Sequence, residues 1–267
     1  MRIIDVESLG DQLTGDQMAS FENNGFLHFR GFLTPHAVNT MTKAIDELSA
    51  RWVSEGLRVL NGTPLKYGKD VDGKEIIQRF CFASQHHPVL AELLTDQRFN
   101  TLLSLVGEGG RLGTHEKDGL VVNHYVNSPT SNFTQMGWHT DSVRDLFLGL
   151  PMCPMLNVGI HLDDQDPRNG GLRILPGTHK QKKSGVLFRK VQFLDNRPDP
   201  REVAFEIKAG DLTIHDGRAW HRVAKSKLVG EASRRRVMYI PIVNGPFLPK
   251  SAESKTPFYH RFQGLVK

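Results

Sequence analysis

The stretch Asn-Gly-Gly-Leu-Arg-Ile-Leu-Pro-Gly-Thr-His-Lys at residues 169–180 places a short apolar run between residues that turn a chain. Glycine reaches backbone angles that other residues avoid, and proline fixes one of its own. The Asn-Gly-Gly before the run and the Pro-Gly after it therefore indicate chain reversals. We interpret Asn169, Gly170, Pro176 and Gly177 as structural residues. The run between them, Gly171–Leu175, is predicted to be a β-strand.

Similar short runs, separated by Gly, Pro, Asn and Asp, recur from residue 120 onward. They are Leu120–Val126, Leu156–Leu162, Gly171–Leu175, Val203–Ile207, Asp211–His215 and Arg235–Val243. This spacing predicts a mostly β fold with flanking α-helices, in which the strands form a double-sheet core of the jelly-roll kind.

The first third of the chain is predicted to be mainly helical. Thr34 and Pro35 form a helix start, and apolar residues recur from Val38 to Trp52 at steps of three and four. We expect a helix from Pro35 to about Glu55. A loop or hairpin is expected at Gly56–Lys74, followed by short helices at Pro88–Thr95 and Asp96–Val106.

These elements predict one domain over residues 1–267. Its helical amino-terminal part, about 1–110, would buttress a jelly-roll core at about 111–245. A hydrophobic content of 39% in a chain of this length is sufficient for one large core.

Candidate metal ligands lie on both sides of the 169–180 stretch. His139-Thr140-Asp141 precedes it, and Gly-Asp-Leu-Thr-Ile-His-Asp-Gly-Arg-Ala-Trp-His at 210–221 follows it. Side chains at i and i+2 of an extended segment leave the same face, so His139 and Asp141 can bind one ion together. With His221 they can occupy one face of an octahedral iron(II) and leave the opposite face for substrates.

The residues alone leave other ligand sets open. The chain has twelve histidines, and His161-Leu162-Asp163 is a second H-x-D sequence. His215 lies six residues before His221, and on a regular strand both would face the same side. Alternation therefore does not choose between His215 and His221.

Taken together, these motifs resemble the phytanoyl-CoA dioxygenase family of iron(II)- and 2-oxoglutarate-dependent oxygenases. The 169–180 stretch carries the resemblance, with H-x-D upstream and G-D-x₅-G-x₃-H downstream. Phe21–Leu27 followed by Gly31-Phe32-Leu33 matches a common opening of that family. The resemblance spans residues from about 16 to 243, and it implies a double-stranded β-helix core of the cupin-like type.

Position by position, the resemblance implies that His139, Asp141 and His221 are the metal ligands. His161 and Asp163 then match the strand that precedes the Asn-Gly-Gly sequence, which is not the metal strand. The family pattern places the last ligand at the end of the 210–221 segment, which favours His221 over His215.

The resemblance also implies an arginine about a dozen residues after the last ligand, which binds the distal carboxylate of 2-oxoglutarate. A guanidinium suits this role because its planar group pairs with a carboxylate through two hydrogen bonds and keeps its charge. Arg234, Arg235 and Arg236 are the candidates, of which we favour Arg235 and then Arg234. Asn123 matches a polar position that contacts the cosubstrate in some relatives.

The implied cofactors are Fe(II), 2-oxoglutarate as cosubstrate, and O₂. The implied reaction oxidises, most simply hydroxylates, an unactivated C–H bond of a small-molecule substrate, while 2-oxoglutarate is decarboxylated to succinate and CO₂. One alternative is a cupin-like metalloenzyme that does not use 2-oxoglutarate. Another is a non-catalytic basic binding protein on the same barrel.

Composition restricts the partners. The net charge is +5, but the clusters Lys180–Lys183 and Arg234–Arg236 are short and have no interleaved aromatic residues, so we expect no nucleic-acid partner. The excess charge instead suits anionic small molecules.

Cys81 and Cys153 are too few for a disulfide framework, which favours a reducing compartment. Without a signal-like or membrane-spanning apolar run, we expect a cytoplasmic protein with no membrane partner, as a monomer or homodimer.

No motif identifies the substrate. We expect three loops to border its pocket, at Gly56–Lys74, Asn127–Gln135 and Gly185–Pro200. Trp138 and Trp220, each of which immediately precedes a candidate histidine, are interpreted as packing residues.

Overall fold

A computed structural model describes residues 2–3 and 6–257 and is mostly β with some helices. Its α-helices are α1 (Gly15–Asn24), α2 (Pro35–Ser54), α3 (Pro88–Leu93), α4 (Arg98–Leu103), α5 (Val143–Phe147) and α6 (Lys183–Phe188). Its strands are β1 (Arg2–Ile3), β2 (Phe26–Phe29), β3 (Val59–Leu60), β4 (Thr63–Pro64), β5 (Lys66–Lys69), β6 (Glu75–Phe80), β7 (Arg111–Leu112), β8 (Val121–Tyr125), β9 (Met136–His139), β10 (Met155–His161), β11 (Gly171–Ile174), β12 (Val203–Ala204), β13 (Leu212–Asp216), β14 (His221–Ala224) and β15 (Arg235–Val243). The outermost parts of the predicted 1–267 domain, residues 1, 4–5 and 258–267, lie outside the described residues.

The strands form two main sheets. The larger sheet has the order β2-β13-β10-β15-β8-β6-β5, with β7 also pairing with β15, and the smaller sheet has the order β1-β12-β11-β14-β9. From β8 to β11, and again from β13 to β15, successive strands alternate between the larger and the smaller sheet. Residues that are close in sequence therefore reach opposite walls of the space between the sheets.

The long helix α2 confirms the expected capping and apolar stripe. The Thr34 side chain accepts a hydrogen bond from the Ala37 N–H, and Pro35 is the first helical residue. The stripe residues from Val38 to Trp52 are buried in the main hydrophobic core, where the Trp52 ring meets Phe80 edge-on at 5.5 Å. The helix thus covers one face of the larger sheet and leaves the other face for the pocket.

The amino-terminal part is less helical than the sequence indicates. Residues up to about 110 contain β2, β5 and β6, which all belong to the larger sheet, whereas the hairpin β3–β4 lies where a loop or hairpin is expected. The strand expected at Val203–Ile207 is also shorter, since β12 ends at Ala204 and Ile207 forms only an isolated bridge with Gln165. β2, β6 and β12 pair with strands that are distant in sequence, and composition reports such pairing poorly.

No helix in the described part of the chain combines the length and apolar character required to cross a membrane.

Asp211 joins β2 to the start of β13. Its buried carboxylate accepts hydrogen bonds from His28 Nε2 at 3.0 Å, Arg30 Nη1 at 2.6 Å, the Gly31 N–H at 3.0 Å and the Lys208 N–H at 2.8 Å. Burial raises the pKa of Asp211, but these hydrogen bonds lower it by more, so the net pKa lies below the ordinary 3.8. The aspartate of the Gly-Asp motif therefore has a structural role.

We expect Asp211→Asn to lower the free energy of unfolding by about 2–3 kcal/mol, because the charged acceptor of several buried donors is lost. Urea denaturation measures the difference. Because the pKa of Asp211 is lower in the folded than in the unfolded chain, the stabilisation is complete above the unfolded-state pKa and is lost as pH falls through the folded-state pKa. The difference in unfolding free energy between the variant and the unchanged protein should therefore narrow below about pH 4. The exposed Asp72 provides the control, Asp72→Asn, which should change stability by less than about 0.5 kcal/mol. Equal effects of the two substitutions would contradict this role.

Candidate metal centre

The two histidines of the expected ligand set are cross-strand neighbours in the smaller sheet. His139 is the last residue of β9, His221 is the first residue of β14, and the two are paired directly, with ring centroids 4.1 Å apart. Asp141 lies in the turn after β9, although the sequence interpretation placed it on the same extended segment as His139. Among the residues described, one donor atom from each of the three side chains lies within 4.8 Å of the other two.

Hydrogen bonds orient both imidazoles in the same way. The Nδ1 of His139 donates to the Gly137 carbonyl at 2.7 Å, and the Nδ1 of His221 donates to the Ala219 carbonyl at 3.0 Å. Since a carbonyl can only accept, each ring carries its proton on Nδ1 and its lone pair on Nε2. His221 Nε2 lies 3.8 Å from Asp141 Oδ2. This arrangement fits a metal ion better than a mutual hydrogen-bond network.

The charge states also fit a metal ion. Burial raises the pKa of Asp141, but the imidazoles of His221, His215 and His139 lower it by more, so the pKa lies well below its ordinary value. Burial lowers the pKa of His139 and His221. At neutral pH the group thus offers one carboxylate and two neutral imidazoles, which are suitable ligands for a divalent transition metal.

Asp141 is held by residues of the larger sheet. Asn157 on β10 donates to Asp141 Oδ2 at 3.1 Å. His215 on β13 places Nε2 at 3.4 Å from the same oxygen, and its ring lies 4.2 Å from that of His221. Sequence reasoning missed Asn157, because no motif relates it to the carboxylate.

His215 and His221 are therefore both close to Asp141, although they lie on different sheets. The group whose donor atoms lie within 4.8 Å contains His221 and not His215. Neither ring nitrogen of the buried His215 has a hydrogen-bond partner in the described chain. His215 lacks the carbonyl contact that orients His139 and His221.

The second H-x-D sequence is separate from this centre. Both ring nitrogens of His161 are engaged, Nε2 with Thr213 Oγ1 and Nδ1 with Gln165 Nε2, each at 2.9 Å. Asp163 binds the guanidinium of Arg236 at 2.7 and 2.9 Å.

The three candidate arginines have different environments. Arg236 is paired with Asp163, and Arg234 is paired with Glu231. Arg235, which is 3% exposed, has no carboxylate partner in the described chain. Burial lowers the pKa of Arg235 to about 10, so it is still charged at neutral pH.

The guanidinium of Arg235 is held by neutral groups. It donates to the carbonyls of Ala224 at 2.9 Å and Thr134 at 3.2 Å, and it lies 5.5 Å from the centroid of the Tyr125 ring. Tyr125 and Thr134 line the central pocket, which Arg235 does not line itself. Asn123 lines the pocket, donates to Tyr125 Oη at 3.3 Å, and keeps an unpaired carbonyl oxygen.

The pocket opens between the two sheets and includes the three candidate ligands. Each loop expected to border it contributes to its lining, with Lys66 from the first, Phe133 from the second and Phe193 from the third. The Phe193 ring stacks on His139 at 4.8 Å. Trp138 and Trp220 are fully buried and donate to the carbonyls of Arg197 and Gly185, which confirms their packing role.

Comparison with known proteins places the chain in context. A family model described as Phytanoyl-CoA dioxygenase (PhyH) matches residues 21–226. A search of curated protein sequences finds no match.

Solved structures include several with a similar fold. AviO1 from Streptomyces viridochromogenes Tue57 is 20% identical with a TM-score of 0.62, covering 91% of this chain and 99% of that chain. The non-heme alpha ketoglutarate dependent carbocyclase SnoK from nogalamycin biosynthesis is 17% identical with a TM-score of 0.66, covering 98% and 94%. HygX from Streptomyces hygroscopicus, with nickel and 2-oxoglutarate bound, is 18% identical with a TM-score of 0.59, covering 87% of each chain. At these identities the likeness shows the fold alone.

The two neighbouring histidines can be distinguished by substitution. We expect His221→Gln to abolish iron(II) binding and His215→Gln to weaken it about 10- to 100-fold, because His215 contacts Asp141 and is not itself a ligand. Anaerobic calorimetric titration with iron(II) measures both. The exposed His36, as His36→Gln, should bind like the unchanged protein. The reverse order of the two losses would identify His215 as the ligand.

Proposed function

The chain belongs to the phytanoyl-CoA dioxygenase (PhyH) family, and on that premise we propose that it is an iron(II)- and 2-oxoglutarate-dependent dioxygenase acting on a small molecule. The main support is the arrangement of two oriented imidazoles and one carboxylate in a single pocket. Hydroxylation of an unactivated C–H bond is the proposed outcome.

The proposed iron ligands are His139 Nε2, His221 Nε2 and an Asp141 carboxylate oxygen. Two histidines and one carboxylate match the facial set that non-haem iron(II) oxygenases use. When bound, iron(II) supplies oxygen activation coupled to decarboxylation of 2-oxoglutarate to succinate and CO₂. The chain's own part is to orient the imidazoles through Gly137 and Ala219 and to hold the carboxylate through Asn157.

We assign Arg235 to the distal carboxylate of 2-oxoglutarate. A buried guanidinium without a carboxylate partner is costly unless an anion binds to it, and the neighbouring arginines already have such partners. To bind the cosubstrate, Arg235 would exchange its contact with the Thr134 carbonyl for a carboxylate. Asn123, with its unpaired carbonyl oxygen and its contact to Tyr125, is the proposed secondary contact.

The alternation of strands between the two sheets supports interpreting the core as a double-stranded β-helix. We retain the single-domain organisation, the cytoplasmic location and the absence of a nucleic-acid partner as predictions from the sequence.

The first test is anaerobic titration of the apoprotein with iron(II) and 2-oxoglutarate, monitored by the visible metal-to-ligand charge-transfer band of the chelate. We expect the band in the unchanged protein and its loss in His139→Ala, because one imidazole ligand is removed. Iron binding without the band would favour a metalloenzyme that does not use 2-oxoglutarate. Absence of iron binding would favour a non-catalytic binding protein.

A second test concerns the cosubstrate arginine. We expect Arg235→Ala to raise the dissociation constant of 2-oxoglutarate at least about tenfold, since a charge-assisted contact is lost, and to leave iron(II) affinity nearly unchanged. Titration of the same visible band measures both quantities. Arg234→Ala, from the neighbouring paired arginine, should stay within about twofold of the unchanged protein. An unaltered dissociation constant in Arg235→Ala would refute the assignment.

A further inference from the structure

Two cations stand opposite each other on the wall of the pocket. Lys66 on β5 is the cross-strand partner of Arg79 on β6, and Arg79 is in turn the partner of Asn123 on β8. All three residues line the pocket. Like charges on directly paired residues destabilise a sheet, so this arrangement needs a compensating interaction.

A register shift in β6 brings Arg79 to the pocket. The pairs Tyr67–Ile77 and Lys66–Arg79 show that the strand contains an extra residue at this point. Ile77 packs in the main core beneath the helices, whereas Arg79, two residues later, lines the pocket. Bulges of this kind redirect side chains and are common beside functional sites.

The carboxylate beside Arg79 also pairs with other cations. Asp118 Oδ2 lies 3.2 Å from Arg79 and 2.7 Å from Arg144, and Asp118 Oδ1 accepts from Lys250 at 2.7 Å. Three cations therefore share one buried carboxylate. The neighbouring Lys117 has its own partner in Asp145 at 2.6 Å.

Lys66 has no carboxylate partner among the described residues. Within the described chain no carboxylate lies within ion-pairing distance of its ammonium group, which is 4.9 Å from the centroid of the Phe133 ring. Burial, and secondly Arg79, lower the pKa of Lys66 to about 8, so it remains mostly protonated at neutral pH. In the free protein, the Lys66 ammonium group is destabilised by partial burial and by repulsion from Arg79. An anion in the pocket would reduce both the cost of burial and the repulsion.

We propose that Lys66 and Arg79 form a subsite for an oxyanion of the organic substrate, either a carboxylate or a phospho group. This inference rests on the proposed function, because it assumes that the pocket holds a substrate beside the iron and 2-oxoglutarate. Lys66 and the cosubstrate arginine are distinct positions. They lie three strands apart, roughly 14 Å between strand axes.

The test uses the protein loaded with iron(II) and 2-oxoglutarate under argon. Benzoate, phenylphosphonate and the neutral benzamide are titrated into it by calorimetry. These probes share one ring, which suits a pocket lined by Tyr125, Phe133 and Phe193, and they differ in the charged group. The visible iron–2-oxoglutarate band is recorded in the same samples, and its persistence shows that the probe has not displaced the cosubstrate.

We expect at least one anionic probe to bind at least tenfold more tightly than benzamide. Tighter binding of benzoate would assign the subsite to a carboxylate, and tighter binding of phenylphosphonate to a phospho group. Lys66→Met should remove this preference without lowering the melting temperature of the ligand-free protein, whereas Lys66→Arg should retain it. Lys69→Met changes an exposed lysine of the same strand and should leave binding unaltered.

Equal binding of benzamide and the anions, absence of saturable binding, or an unchanged preference in Lys66→Met would each overturn the proposed subsite. A sample that shows the band without a preference for anions rejects this inference alone. Absence of the band before any probe is added rejects the proposed function.

Discussion

The pairing of β9 with β14 is the constraint on which the rest of the site depends. It places His139 directly opposite His221, and carbonyls two residues before each histidine set the direction of both rings. A cross-strand pair brings side chains to about 5 Å without any flexible loop, which makes the imidazole spacing a property of the sheet. Only Asp141 lies outside that pairing, and Asn157 of the opposite sheet holds it in place.

Successive side chains along a strand of the larger sheet face the hydrophobic core and the pocket in turn. Along β15, Met238 and Ile240 belong to the main core, whereas Tyr239 and Pro241 line the pocket. The same parity sends Arg236 toward Asp163 and α2, and it turns Arg235 toward Tyr125 between the sheets. Three consecutive arginines thus differ in partner because of their strand positions, although their chemistry is the same.

The difference between local and distant interactions explains how much the sequence could predict. Local signals sufficed for α2, whose cap and stripe are contiguous, and for most strands after residue 120. The choice of His139, Asp141 and His221 rested on the family resemblance, because no local pattern could decide between His221 and His215. Strands β2 and β6 escaped prediction because they pair with the distant strands β13 and β8. For the same reason, no pattern in the sequence related Asn157 or His215 to Asp141, which they approach from two other strands.

The balance of charges around the pocket favours anionic ligands. Among the described residues, Arg235 and Lys66 have no carboxylate partner, and Asp118 pairs with Arg79, Arg144 and Lys250. Burying unpaired cations opposes folding, and a core of neutral residues would be more stable at these positions. Binding sites commonly retain such unfavourable groups because a ligand satisfies them. With Arg235 as the proposed cosubstrate arginine, 2-oxoglutarate would still leave Lys66 without an anionic partner among the described residues.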